Sequence, residues 1–487
     1  MKPPDYRWWI QHAHEDSAFL RLIRNPESFT EAIRGRLKAV GRDPNDVGLH
    51  NMALWRAIFE QHRFGGLSSI LDSIQPAPTY GDDVRPMTGD LRIDSRAIRD
   101  DVGPFPALGV SCFWAPYAYR HNPDHLDRFA LWAVQSGCSY ARIFGAMDWS
   151  GATDPAHIPN YIDMMEGTIT ALALRGLRSQ ITLFTRRYQI PNPEHYTRIM
   201  AQMIQRNREK VILTEIGNEG RHEHNNWQFA DLRCLATTFR EHSDAPLAIT
   251  APISGTKWGP IEEQLREINE FSDATATTIH YPRLDTTAEG QWRAVRQPWH
   301  AHVPVGGCPR FTVNNEPARW DRLGSKKDVS AAVAMQLVAF ITGHGMSCHH
   351  DVYGVAFDAG EYSTDEQSQQ FKLVMSTVMP LLPPDIANWV SVRVGFGRHP
   401  FEDLEEQHWT FHDDISDGVS RCYAAQRHTS FVMVLAGVRG EVRLEKVQPQ
   451  RYQVRSLSTG EVCYVGHGPY AVQEKDGCAF LVQNVNL

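Results

Sequence analysis

The sequence predicts an α/β fold: a (β/α)8 barrel preceded by a helical segment and followed by an antiparallel β-sandwich. Three observations carry this. Apolar runs recur eight times, at 107–114, 139–144, 179–184, 211–216, 247–251, 276–281, 310–314 and 346–357, with starts 29 to 40 residues apart, the span of one strand and one helix. The segments between them are amphipathic with helical period. Leu126, Phe129, Ala130, Ala133 and Val134 follow it, as do Tyr196, Ile199, Met200, Met203 and Ile204. From 388 onward the rhythm changes to short runs of period-two alternation separated by turn residues.

Residues 1–75 read as a helical N-terminal segment. Ser28-Phe-Thr-Glu31 fits a capping box, and Met52, Trp55, Ile58 and Phe59 fall at helical spacing. Gly65-Gly66 and Pro76-Ala-Pro78 punctuate its end. The barrel with its lead-in then occupies 76–387. Its last helix is expected at 364–380, before Pro380 and Pro383-Pro384. In 388–487 the runs Ser430-Phe-Val-Met-Val-Leu, Glu441-Val-Arg-Leu, Tyr452-Gln-Val-Arg-Ser-Leu and Ala479-Phe-Leu-Val read as strands. Ser458-Thr-Gly460, Gly466-His-Gly468 and Asp476-Gly477 supply turns between them.

With 487 residues, 42% of them hydrophobic, the chain can bury large cores and is no disordered polymer. Acids outnumber bases, 57 to 49, for a formal charge of −8, which argues against nucleic acid as the partner. No run reaches the ~20 apolar residues of a membrane span, so no membrane partner is expected. The eight cysteines are scattered without a C-x-x-C pair, so neither a zinc spacing nor a disulfide framework is expected. Met1-Lys-Pro-Pro-Asp-Tyr-Arg-Trp-Trp-Ile10 lacks the apolar stretch of an export signal. The expectation is a soluble protein, cytoplasmic or virion-associated.

Two glutamates stand out. Val211-Ile-Leu-Thr-Glu-Ile-Gly-Asn218-Glu219-Gly220 places Glu219 after the fourth strand. Arg310-Phe-Thr-Val-Asn-Asn315-Glu316-Pro317 places Glu316 after the seventh. The C-terminal ends of barrel strands are where such folds carry their chemistry. Two carboxyl groups facing one cleft are the minimum equipment for hydrolysing a glycosidic bond. Glu215, four residues before Glu219, reads instead as a charge inside the barrel near Arg142.

At these residues the chain resembles the clan A retaining (β/α)8 glycoside hydrolases, which include cellulases, mannanases and β-galactosidases, over roughly 105–380. The resemblance implies that Glu219 is the acid/base and Glu316 the nucleophile. It further implies that Arg142, in Tyr140-Ala-Arg142-Ile-Phe, braces the nucleophile and that Asn218 reaches the sugar 2-hydroxyl. His280-Tyr281 matches the clan's aromatic hydrogen-bonding partner, with Tyr281 expected to orient Glu316. One departure is that Asn315-Glu316-Pro317 looks more like the clan's strand-four motif than its strand-seven motif. The position of a tryptophan platform at strand eight is taken here by His349, His350 and Tyr353.

Trp114, Trp149, Trp227, Trp258 and Trp320 follow barrel strands and are candidates for stacking on sugar rings or for loop packing. Trp114, Trp149, Trp320, His280 and His349 complete the expected substrate contacts. The resulting expectation is a retaining O-glycoside hydrolase acting on an oligo- or polysaccharide or glycoconjugate, with no cofactor and no metal. Two alternatives stand beside it. One is a non-catalytic carbohydrate-binding or phage or surface structural protein on the same barrel. The other is a metal-dependent hydrolase using Cys348-His349-His350-Asp351 or His222-x-His224.

Overall fold

The computed structural model describes residues 89–147, 158, 160–222, 224–252, 261–271, 273–281, 288–302, 308, 310–317, 329–392, 409–413, 422–436, 441–446, 451–473 and 477–485. The helical reading of 1–75 lies outside them.

Eight parallel strands form one sheet: β4 (Ala107–Ser111), β5 (Tyr140–Phe144), β6 (Arg178–Phe184), β7 (Val211–Gly217), β8 (Leu247–Thr250), β9 (Thr277–Ile279), β10 (Thr312–Asn314) and β11 (Met346–His349). Their order, β8-β7-β6-β5-β4-β11-β10-β9, is that of a barrel opened between β8 and β9. The amides of Thr275 and Ala276 bridge that gap, donating to Leu247 O at 2.9 and 3.0 Å. Every residue of these strands is buried, which is why they read as continuous apolar runs. Before them, β1 (Arg92–Asp94), β2 (Ala97–Asp100) and β3 (Gly103–Phe105) form an antiparallel meander. Leu91, Ile98 and Phe105 of this lead-in pack on Tyr140, Leu213, Phe311 and Met346 at the barrel floor. The Tyr140 ring crosses that floor over Gly109, where a Cβ would stand 2.1 Å from it, so only glycine fits.

The helices α1 (Ala115–His121), α2 (Pro123–Gln135), α3 (Tyr161–Ala173), α4 (Pro193–Arg206), α5 (Phe229–Arg240), α6 (Ile261–Asn269), α7 (Ala288–His302) and α8 (Val329–Ile341) alternate with the strands. Asn122 and Asn192 cap α2 and α4, each side chain accepting from the backbone amide three residues on, with proline at the first helical position. The run expected as a strand over 346–357 ends early. Asp351 accepts from Val352 N and starts a short helix, α9 (Val352–Val355). Asp365 likewise starts the last barrel helix, α10 (Glu366–Leu381), by accepting from Ser368 N.

The C-terminal part is antiparallel. One sheet contains β12 (Val390–Val392), β14 (Cys422–Arg427), β15 (Ser430–Leu435), β17 (Tyr452–Ser456), β18 (Val462–Gly466) and β20 (Ala479–Asn484). The other contains β13 (Trp409–Asp413), β16 (Glu441–Lys446) and β19 (Tyr470–Gln473). Phe431, Met433 and Val482 of the first meet Val442, Leu444 and Val472 of the second in one core, as in a sandwich. The alternate residues Tyr423, Ala425, Val432 and Val434 belong to the barrel's core cluster instead. Helix α8 is buried all round because it lies between barrel and sandwich. Among the described residues no helix is long and apolar enough to cross a membrane.

Candidate active site

The barrel interior above its floor is polar. Arg142 on β5 is fully buried, its Nη1 donating to Glu316 Oε1. Its Nη2 donates to Asn218 Oδ1 at 2.8 Å and to Glu215 Oε2 at 3.2 Å. Burial, the largest influence on this guanidinium, opposes its charge, yet the Glu316 and Glu215 carboxylates outweigh it and raise the pKa. Glu215 on β7 also accepts from Thr182, Thr278 and Asn315. Its carboxyl group is thus fully engaged as an acceptor inside the barrel.

Glu219 and Glu316 lie at the same end of the barrel, around His280. His280 Nδ1 is 2.8 Å from Glu219 Oε1 and 3.7 Å from Glu316 Oε2. One oxygen of each glutamate and a nitrogen of His280 lie within 4.8 Å of one another. Glu219 has 16% of its side chain exposed against 7% for Glu316, so it is the more open of the two. The Glu219 backbone is left-handed, φ 42°, a conformation that a residue with a side chain rarely adopts. Asn225 holds it, Nδ2 donating to Asn218 O at 2.8 Å and Glu219 O at 3.1 Å. Gly220 N is fixed on Thr250 Oγ1 at 2.8 Å.

Two expectations fail by the alternation of side chains along a strand. Thr278 and His280 point into the barrel, so Tyr281 points out. Its hydroxyl lies 2.7 Å from both His302 Nε2 and His344 Nε2, and it does not orient Glu316. Cys348 faces the barrel interior, so His349 faces the helices. It stacks on Phe371 with centroids 4.2 Å apart, and burial lowers its pKa to about 3. The cleft histidine at strand eight is His350, with Nδ1 2.8 Å from Ser111 Oγ and Nε2 4.0 Å from Glu316 Oε2. The sequence offers both His349 and His350 there, and strand alternation turns only one of two adjacent residues to the cleft.

Trp114 is also no cleft residue. It is 1% exposed, packs on His125, Phe129 and Phe357, and donates its indole N–H to Tyr353 O at 2.6 Å. Trp227 is buried with its N–H on Thr185 O. Trp149, Trp258 and Trp320 lie outside the described residues. Among the described residues, two groups bring three metal-capable atoms together: the Glu219–His280–Glu316 group and His302–Cys308–His344 on the outer face. Neither uses His349 or the His222-x-His224 pair.

No protein-family model matches this chain, and no curated protein matches it. Its fold recurs among solved structures. A glycoside hydrolase family 5 structure from Bacteroides vulgatus ATCC 8482 aligns with TM-score 0.55 at 14% identity, covering 81% of this chain and 93% of that one. The GH30 endoxylanase from Clostridium papyrosolvens C71 aligns with TM-score 0.44 at 8% identity, over 82% of this chain and all (100%) of that one. The endo-1,4-β-mannanase from Rhizomucor miehei aligns with TM-score 0.45 at 9% identity, over 60% and 99%. The first of these likenesses is one of fold, and the other two are too loose to add to it. This chain shares its (β/α)8-barrel fold with that family 5 structure, with antiparallel sheets after the barrel.

Proposed function

We propose that the protein is a retaining O-glycoside hydrolase acting on an oligo- or polysaccharide or glycoconjugate. The observation that carries this reading is the approach of Glu219 and Glu316 to within 4.8 Å beside His280, with Arg142 bonded to Glu316 alone of the two. Retaining enzymes keep their carboxyl groups about 5–5.5 Å apart, whereas inverting ones leave about 6.5–9.5 Å for a water.

Glu316, paired with a buried guanidinium, is suited to remain ionised and attack the anomeric carbon. The bond to the departing oxygen breaks as Glu219 gives that oxygen its proton, leaving a glycosyl ester on Glu316. Water then attacks the same carbon, its proton going to the Glu219 carboxylate, and Glu316 departs as a carboxylate. Asn218, oriented through its Oδ1 by Arg142, keeps its amide N–H groups for the sugar.

A panel of aryl glycosides and polysaccharides tests the reading. Turnover that Glu316→Ala abolishes is expected. Sugar affinity without turnover would favour a carbohydrate-binding protein, and loss of activity to a chelator would favour a metal-dependent hydrolase.

A further inference from the structure

We propose that Asn315, the residue before the nucleophile, sets the tautomer of His280 and thereby decides which oxygen of Glu219 carries the acid's proton. The role given to Glu219 rests on the function proposed above, but the tautomer itself does not.

The inference starts at Glu215. This buried carboxylate receives Thr182 Oγ1 at 2.8 Å, Arg142 Nη2 at 3.2 Å, Asn315 Nδ2 at 3.1 Å and the Thr278 hydroxyl. With four donors on two oxygens it serves only as an acceptor. An amide facing it must turn its NH2 toward it, which fixes the orientation of Asn315. The other side agrees, since Gln180 Nε2 donates to Asn315 Oδ1 at 2.5 Å.

The same Asn315 Nδ2 lies 3.4 Å from His280 Nε2. An amide nitrogen has no lone pair to offer, so an N–H on Nε2 would set two donors against each other. Nε2 is therefore the lone-pair nitrogen and the ring proton sits on Nδ1. An imidazolium, with protons on both nitrogens, meets the same objection. Asn315 is fully buried and His280 is 2% exposed, which keeps bulk water from taking over the amide's part.

Nδ1 is the nitrogen that faces Glu219 Oε1, at 2.8 Å. Its N–H donates to that oxygen, so the proton of the general acid is confined to Oε2. After Glu219 has given this proton away, Oε1 keeps the same bond. One contact serves both half-reactions, and His280 neither gains nor loses a proton. Asn315 is thus a positioning residue acting through His280. It does with its NH2 what its sequence counterpart Asn218, before Glu219, does not, for Asn218 faces Arg142 with its carbonyl.

The direct test is ¹⁵N NMR of the full chain labelled at histidine, with His280 assigned by the signals lost in His280→Gln. At neutral pH, His280 Nδ1 is expected as the protonated nitrogen and Nε2 as the lone-pair nitrogen. Asn315→Asp, which offers an acceptor, is expected to move the proton to Nε2, and Asn315→Leu to leave a mixture. In kinetics Asn315→Asp is expected to lower kcat/KM at least about tenfold on glycosides with poor leaving groups, and far less on activated ones, which need no proton in the first step. His280 protonated on Nε2 or on both nitrogens in the parent protein would overturn the proposal, as would a tautomer unmoved in both variants. The parent spectrum alone decides if neither variant folds. It requires no turnover, so a failure of the hydrolase reading is seen separately, as a protein that cleaves nothing.

Discussion

Arg142 and Glu316 are joined across the barrel by a buried ion pair, tying the middle of β5 to the end of β10. Arg142 also holds Glu215 and Asn218, so one guanidinium ties together residues of three strand segments.

Arg142→Met is expected to cost about 3–5 kcal/mol, because it leaves the Glu316 and Glu215 carboxylates buried without their cation. Arg142→Lys keeps the charge but lacks the planar fork that reaches three acceptors, so it is expected to recover stability better than activity. Urea unfolding beside turnover measures both. A methionine variant as stable as the parent would show that the pair does not hold the barrel interior.

The two glutamates are expected to fail differently. Glu316→Ala should nearly abolish turnover of every substrate. Glu219→Ala should spare glycosides with good leaving groups in the first step and stall them at the intermediate. Azide should rescue that variant, giving a glycosyl azide of unchanged anomeric configuration. Azide rescue of Glu316→Ala with an inverted product would exchange the two roles.

Much of this arrangement was legible in the sequence. Eight apolar runs mark the eight strands, and counting them puts Asn218-Glu219 after the fourth and Glu316 after the seventh, where the structure has them. What failed was parity: the reading sends both members of the adjacent pairs His280-Tyr281 and His349-His350 toward the site, where only His280 and His350 face it. An error of one residue reverses the direction of a strand side chain. Trp114 misled because a tryptophan after a strand looks the same in sequence whether its loop is open or folded under α9. The Asn225 clamp on Glu219 is local but set by the path of one irregular loop, and the Asn315–His280 contact joins two strands, so neither leaves a sequence signal.

Trp114 supports a prediction about that correction. Trp114→Leu is expected to cost about 3–5 kcal/mol, by leaving a cavity among His125, Phe129 and Phe357 and an indole hydrogen bond unmade. KM on any turned-over substrate should stay near the parent value. A raised KM at unchanged stability would return Trp114 to the cleft.

Acid should weaken the fold before it protonates the surface carboxylates. Burial lowers the pKa of His302 to about 4 and of His349 to about 3. Both remain neutral in the folded chain while the unfolded chain takes up protons near the ordinary value of about 6.5. The unfolded state therefore binds more protons below that pH. Stability is complete above about pH 6.5 and falls as pH drops toward 4 and then 3, by on the order of a few kcal/mol for each histidine. Glu361, held down to about 2 chiefly by its hydrogen bond from Arg128, adds its own loss as pH falls from about 4.5 toward 2. Urea titrations from pH 7 to 5, a range above about 4.5, isolate the histidines. His349→Phe should flatten part of that slope, and an unchanged slope would place its titration elsewhere.

The central claim is that Glu219 and Glu316 act together on one anomeric carbon with retention. Proton NMR of the first product formed from a turned-over glycoside, read before mutarotation, tests it most directly. The account predicts the same anomeric configuration as the substrate. A first product of inverted configuration would contradict it, making Glu316 the base that activates water.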